Sequence, residues 1–350
     1  MRTRTVYIIM VLLAVIMPLK SYAFSFNLDS IAQMGKFPRF VVNTYRWGDK
    51  FFNGYDTTYV QPTGYKFNAK VLSSYRKDSY RFLLPDRKFM RMDGESVSTI
   101  GAQVQYLAVS AGYDWNVKQL FTGQHQDFHE YRFGFSCMLF SADFYATTNK
   151  IQTHIKRFGS YDSPGHYNIP FNGLDNFTWG INAYYFFNHK KYSQAAAFSF
   201  SRIQRRSQGA WYTGFSYYNQ DLDFNFIELP PSMRDELPSN WEDFRYRVQT
   251  RNYAVRVGYG YNWVFAPKWV LGVSESPIIG IRRGYVNSAY EKTSFSLYNR
   301  LKGGIVWNSN HWFAGLTADF DLAIVNDKQT TFASGTFYTQ LAIGYRFNLW

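Results

Sequence analysis

A small set of charged residues is spaced for a shared task. Arg202, Arg256, Arg300, Lys302 and Arg346 are basic, Asp319 and Asp321 acidic, and each lies opposite aromatic or aliphatic residues in a segment that reads as extended. In a strand, alternate side chains point to opposite faces, so these charges share a direction away from the apolar rows. If the apolar rows meet lipid, a Lys or Arg among them would cost about 2–4 kcal/mol at the midplane, which drives the seven inward. Inside, they form either an ion-pair network that stiffens a wall or a basic lining that selects anionic solutes. Two further pairs, Arg205-Arg206 and Arg282-Arg283, fall at what the pattern predicts to be outer strand ends. There they suit phosphate oxygens through charge-assisted hydrogen bonds, or else form solvated loop tips.

Other groupings carry less. His125-x-Asp127-x-His129 would share a metal only on a helix, and the surrounding stretch reads as loop. Asp162, Ser163 and His166 lie within a few residues of one another, but a triad needs fixed mutual geometry that neighbours in a loop do not supply. No Gly-x-Ser-x-Gly elbow and no phosphate loop is present. Cys137 is the single cysteine and reads as a buried or lipid-facing thiol. The expectation is therefore no enzyme: no catalytic residue, no metal and no cofactor.

The elements that position the charges are strands. Tyr253, Val255, Val257, Tyr259, Tyr261, Trp263 and Phe265 share one parity; Asn252, Ala254, Arg256, Gly258, Gly260 and Asn262 share the other. The alternation returns at 295–308, 312–324 and 337–349, and earlier at 175–187. Long two-faced strands with Arg, Lys and Asp opposite the aromatics fit a membrane-spanning β-barrel, apolar outside and polar within. Aromatic residues make up 21% of the 350-residue chain, suited to girdles at the membrane boundaries. Mean hydropathy is −0.34, which excludes a helical membrane protein but not a barrel. A β-sandwich or propeller would have to bury each aromatic face without any helix to cover it.

The start reads as a secretory signal: Arg2 and Arg4, an apolar run from Val6 to Met17 too short to span, then Ser21-Tyr22-Ala23. Residues 1–23 are assigned to the signal, 24–64 to a short, partly helical periplasmic segment and 65–350 to the barrel. The formal charge of +13 falls to +10 without Arg2, Arg4 and Lys20. For an exported protein, that excess points to outer-membrane lipid and lipopolysaccharide phosphates, which Arg205, Arg206, Arg282 and Arg283 would meet, rather than to nucleic acid, or else is the plain sum of lumen and loop arginines.

Placing short turns in the periplasm and long loops outside makes 150–173, 230–243 and 282–292 outer loops. Tyr192–Ile203, Ala210–Tyr218 and Leu222–Leu229 then count as three strands, and the total is about fourteen. Twelve results if the weakest segments lie outside the wall. The fold class is thus all-β, a transmembrane antiparallel up-and-down barrel.

The run from Tyr184 through Asn188-His189-Lys190-Lys191-Tyr192 to Phe198, continued by Gln204-Arg205-Arg206-Ser207-Gln208-Gly209-Ala210-Trp211, resembles the family catalogued as domain of unknown function 4421. So does Gly258-Tyr259-Gly260-Tyr261-Asn262-Trp263-Val264-Phe265. The resemblance implies an outer-membrane barrel of a Gram-negative bacterium and brings no established activity. Such barrels are inserted by the barrel-assembly machinery, whose usual signal ends in an aromatic on the apolar face. Here Trp350 shares parity with Asn348 and Arg346, and the apolar face ends at Leu349. The functions this sequence admits are a channel or small-solute pore with a charged lumen, a non-conducting structural or surface-interaction barrel, and an outer-membrane lipid-modifying enzyme.

Overall fold

The computed structural model describes residues 33, 39, 40 and 43, which are helical, and 54–349 apart from 124–126, 161–163, 240, 288–289 and 328–329. The signal segment, most of the proposed periplasmic segment, His125, Asp162, Ser163 and Trp350 lie outside the described residues, as does the side chain of His166.

In chain order the elements are β1 (Val60–Pro62), β2 (Phe67–Leu83), β3 (Phe89–Gly94), β4 (Val97–Tyr106), β5 (Val109–Asn116), helix α1 (Val117–Thr122), β6 (Phe128–Ser136), β7 (Phe140–Asn149), β8 (Thr153–Gly159), β9 (Pro164–Phe171), β10 (Leu174–Phe186), α2 (Gln194–Phe198), β11 (Arg202–Gln204), β12 (Gln208–Asn225), α3 (Pro231–Arg234), β13 (Arg245–Ala266), β14 (Trp269–Val286), β15 (Lys292–Asn308), β16 (Trp312–Asp327) and β17 (Thr330–Phe347). Twelve of the strands, β2, β4–β7, β10 and β12–β17, pair in antiparallel succession, and β17 closes on β2 from Thr331 opposite Leu83 to Phe347 opposite Phe67. The barrel therefore has no free edge along that seam.

Closure comes with stagger. A walk across hydrogen-bonded partners leaves β13 at Arg251 and passes Asn219, Trp179, Ala146, Tyr131, Tyr113, Ala102, Val71, Ile343, Ala314, Trp307 and Trp269. It returns to β13 at Ala266. An offset of about 15 residues around twelve strands is the stagger that tilts barrel strands by about 35–45°. Outward residues such as Val255, Ile279 and Leu341 are exposed, while their inward neighbours Asn252 and Arg256 are buried. The apolar side of the alternation is thus outside, inverted from a soluble core.

The count is twelve, the lower of the two the sequence admits, and one region accounts for the difference from fourteen. Tyr192–Ile203 is not a wall strand, and Ala210–Tyr218 and Leu222–Leu229 are not two. One strand, β12, runs from Gln208 to Asn225, and 187–207 is a long connection at the same end as the C-terminus of β17. Its apolar residues face the bore rather than lipid, and periodicity cannot separate the two. The remaining connections at that end are short, whereas the loops after β2, β7 and β12 are long. Loops carry strands of their own: β3 pairs with the upper half of β2, and the β8–β9 hairpin, within the expected outer loop 150–173, extends that sheet through β3.

The two ends of the bore are filled differently. At the loop end, inward side chains from opposite walls meet in an aromatic cluster. Phe82 of β2 lies 5.3 Å from Phe224 of β12 and 5.1 Å from Tyr246 of β13, ring centre to ring centre. Trp241, from the loop after β12, sits 5.6 Å from Phe82 and 5.4 Å from Phe226. Since β2 and β12 are separated by five strands one way around, these contacts cross the bore.

At the turn end, the 187–207 connection folds inward. Phe200 stacks on Phe313 at 5.3 Å, and Gly315 leaves the room: a Cβ there would run into the Phe200 ring. Gly304 does the same beneath α2, where a Cβ would lie 2.9 Å from the carbonyl of Ala197. Buried Gln204 ties the plug together. Its Oε1 accepts from Ser193 N and Asn262 Nδ2, and its Nε2 donates to the carbonyls of Lys191, Tyr59 and Arg206.

Candidate functional site: a polar chamber inside the barrel

Between the aromatic cluster and the plug lies a cavity of about 570 Å³. Its upper boundary includes Tyr80, Leu222, Val248 and Phe332 of the cluster; Gln194, Phe198 and Ser199 of the plug also line it. It reaches the turn end at Ala108 and Ser136. A space of that size holds on the order of tens of waters, or a small solute.

The inward parity supplies its chemistry. Arg300 and Lys302 of β15 face Asp321 and Asp319 of β16 as direct cross-strand pairs. Arg300 Nε is 3.2 Å from Asp321 and 3.6 Å from Asp319, and Lys302 Nζ is 3.3 Å from Asp319. A second network crosses from β2 to β6. Glu130 stands between Arg132 at 2.5 Å and Arg76 at 3.9 Å, and Arg76 also meets Asp78 at 3.1 Å. Asp78 accepts further bonds from Asn149 Nδ2 at 2.8 Å and Thr336 Oγ1 at 2.7 Å. Arg132 donates onward to the Tyr338 hydroxyl on β17.

Arg256 differs from these. It is 5% exposed and donates to Ser216 Oγ, Tyr184 Oη and Asn182 Oδ1, all neutral, while its Nε finds no acceptor. Asn182 in turn donates to Asp143, so among the described residues the positive charge is answered through an amide and not by a direct ion pair. Lys70 is 6% exposed and lies 5.0 Å from the Phe200 ring centre, with no carboxylate within ion-pair distance among the described residues.

Arg256, Arg300, Lys302, Asp319 and Asp321 thus line the chamber, as their parity requires. The other two of the seven do not. Arg202 belongs to β11 in the plug, paired with Pro62 of β1 and lying over the Tyr55 ring. Arg346 faces inward at the turn end and holds the plug: Nη2 donates to Phe200 O at 2.6 Å and to Asn308 Oδ1, and Nη1 to Ser309 O at 3.0 Å.

The four arginines placed at outer strand ends also separate. Arg205 and Arg206 sit at the turn end, because the segment before them is a plug and not a strand; Arg205 N bonds to Tyr59 O and Arg206 lies over the Tyr59 ring. Arg282 is 2% exposed, points inward and donates to Ser294. It belongs to a strand that continues to Val286, so its parity decides its face. Arg283 is at the loop end, outward and paired with Glu291 at 3.1 Å.

Parity within Phe67–Leu83, Val109–Asn116 and Phe128–Ser136 would have found Lys70, Arg76, Asp78, Asp114, Glu130 and Arg132. Phe67–Leu83 lacks the dense aromatic row of the C-terminal strands, and the other two segments are short. Of the loop histidines, His129 Nε2 stands 3.4 Å from Asp127. His189, in the turn-end connection, is held below the usual histidine range by burial, so it is neutral at pH 7.

A family profile described as Domain of unknown function (DUF4421) matches residues 54–347. The chain belongs to this family. No curated protein matches the sequence. Among solved structures, the DUF4421 chain is similar to the outer membrane protease OmpT from Escherichia coli at 8% identity and a TM-score of 0.40, covering 80% of this chain and 96% of that one. It is similar to the β domain of the Bordetella autotransporter BrkA at 8% identity and 0.32, covering 79% and 99%. For the P. putida toluene transporter TodX the values are 7% and 0.30, covering 85% and 96%. The twelve-strand closure with an apolar exterior is the fold of an outer-membrane β-barrel.

Proposed function

We propose that this chain is a non-conducting outer-membrane β-barrel that encloses a polar chamber for a small solute, rather than an open diffusion pore. The observation that carries the reading is the aromatic bridge across the loop end, where Phe82 meets Phe224 and Tyr246 of the opposite wall and Trp241 of the loop after β12. Ions cannot pass a bore filled by packed rings without displacing them. The chamber itself argues for occupancy. Buried ion pairs are often no more stabilising than apolar residues of equal volume, so seven basic and six acidic lining residues are a poor choice for stiffness alone. The same reading includes export through the N-terminal signal, insertion by the barrel-assembly machinery, and residence among outer-membrane lipid and lipopolysaccharide, with the turn end periplasmic.

The test is conductance of the purified chain in planar bilayers. Silence across ±100 mV is expected, and regular stepwise currents would overturn the reading in favour of a pore. The pore keeps one specific observation on its side, since the chamber reaches Ala108 and Ser136 at the turn end, so that only the loop end needs to open. Phe82→Ala combined with Trp241→Ala separates the two: currents from this variant and none from the parent place the block at the rings.

A further inference from the structure

Among the described residues, two ladders of the wall stop while both of their strands continue: that between β15 and β16 ends at Ser296 opposite Val325, close to the loop end, and the other lies deeper. The ladder between β5 and β6 runs from Val109 opposite Phe135 to Tyr113 opposite Tyr131 and stops. Continued, it would set Asp114 against Glu130 and Trp115 against His129. Instead β5 keeps its pairing with β4 through Asn116, and β6 keeps its pairing with β7 through Phe128. The two strands are therefore both intact while Asp114 and Trp115 are not paired with Glu130 and His129, a parting toward the loop end termed the wedge.

Its height follows from the tilt. Arg251 and Arg283 face outward, opposite one another, and mark the upper limit of the apolar band. The row from Arg251 to Tyr113 takes five strand steps. With strands about 4.8 Å apart and tilted by about 40°, Tyr113 lies ~15 Å below that limit and Trp115 ~10 Å below it. In a band roughly 25 Å tall, the wedge opens within the outer half of the hydrocarbon. Among the described residues the ladder offers no cross-strand partner over that stretch, and at that depth polar backbone favours a polar neighbour over lipid.

The surroundings of the wedge are two-faced. On the lipid side Tyr113, Trp115 and Tyr131 form a ring trio, with centroids 5.1 and 5.8 Å apart. Above it α1 presents Leu120 and Phe121 exposed, an apolar edge at the boundary. Behind it lies the chamber, which Asp114, Glu130 and Arg132 all line. One inward row below the wedge reads Lys70, Gln103, Gly112, Arg132 in cross-strand register. Two cations thus end a row whose middle positions are neutral, Gln103 and the side-chain-free Gly112, and Lys70 has no carboxylate within ion-pair distance among the described residues.

We propose that the β5–β6 wedge is a lateral portal through which an amphiphile with an anionic head, carboxylate or phosphate, is held: its chain stays among the ring trio in the bilayer and its head enters the chamber toward Lys70 and Arg132. The proposal rests on the chain being an outer-membrane barrel, but not on its being silent to ions.

Two measurements test it in the full chain carrying Cys137→Ser. Paired strands bring facing Cβ atoms within disulfide range. Oxidation is expected to cross-link Ala111→Cys with Phe133→Cys, which are paired, and to leave Trp115→Cys with His129→Cys apart. Equal cross-linking of both pairs overturns the portal. In phosphatidylcholine vesicles, a diazirine-bearing palmitate and a diazirine-bearing lysophosphatidic acid are then compared with an alkylamine of equal length. Labelling of residues 109–136 by at least one anionic probe is expected to exceed the amine by tenfold, and to fall to the amine level in Lys70→Met. Which anionic probe labels tells carboxylate from phosphate. Equal labelling by anionic and cationic probes overturns the proposal, as does labelling spread evenly around the barrel. Neither result bears on bilayer silence, so the failure of this inference and of the conductance reading remain separate.

Discussion

Arg346→Met is the substitution whose consequence the structure fixes most tightly. Arg346 is 1% exposed and close to the turn end of β17. Its guanidinium lies 4.5 Å from the Phe313 ring centre and donates to two main-chain carbonyls, Phe200 O and Ser309 O, and to Asn308 Oδ1. Methionine keeps the apolar stem and removes the fork. Hydrogen bonds from a charged donor contribute about 1.5–3 kcal/mol each, and the orphaned carbonyls stay buried. Three such bonds sharing one group do not add fully, so the expected loss is about 3–5 kcal/mol. That is a large share of an overall stability of about 5–15 kcal/mol. The loss should fall on the plug, because Phe200 O is its main polar tie to β17. Limited trypsin digestion in detergent reads this directly, since Arg202, Arg205 and Arg206 all lie in the connection that would loosen. Cleavage there should rise at least tenfold in Arg346→Met while the wall stays intact. Arg346→Lys should fall between, because one ammonium cannot reach acceptors spread around a planar fork. Unchanged cleavage with an unchanged unfolding midpoint would refute the anchoring argument.

Two further outcomes follow from the same geometry. Lys302→Met strips one partner from a buried carboxylate that Arg300 also holds, so it should lower stability by about 1–3 kcal/mol, whereas Lys302→Met with Asp319→Leu should recover part of that loss; a double-mutant cycle by urea unfolding in detergent checks it, and simple additivity would contradict it. Burial pushes the Cys137 thiol above its ordinary 9.0, and its Sγ donates to Phe140 O, so iodoacetamide should alkylate it more slowly at pH 8 than free cysteine. Since the fold favours the protonated thiol, its effect on stability is flat at neutral pH and declines as pH rises past 9; rapid labelling at pH 8 would oppose this.

What the sequence made legible depended on redundancy. From Arg245 onward every strand repeats its parity over 16 to 22 residues, so a single disturbed position does not hide the pattern. That is why Arg256, Arg300, Lys302, Asp319 and Asp321 could be assigned to the interior before any coordinates. Strands β4 to β7 have only 8 to 10 residues, and their inward positions include Gly101, Gly112 and Gly134, which blur the contrast between faces. The plug was misread for a different reason. Tyr192, Ala196, Ala197, Phe198 and Phe200 are as apolar as a lipid-facing strand, and sequence alone does not say whether the apolar surface they meet is lipid or the barrel's own inner wall. The consequence propagated: two supposed strands too many, and Arg205 and Arg206 at the wrong end. Arg282 and Arg283 show the opposite lesson, since adjacent residues on one strand must face opposite ways and only one of them could have been a surface contact.

Twelve strands leave a bore between the side-chain-filled interior of about eight and the open channel of about sixteen. This chain divides that volume along the axis. Its tall wall, β12 to β17, carries enough inward residues to seal the loop end with rings and still seat the plug below. Its low wall, β4 to β7, cannot reach the aromatic cluster over its whole length, and the loops holding β3, β8 and β9 complete the enclosure there instead. The polar chamber, Lys70 on the adjoining β2 and the parted β5–β6 ladder all border that low wall. A barrel selected only for rigidity has no reason to place them together, whereas one that admits a polar head from the side needs low walls, buried positive charge and a gap in the same sector.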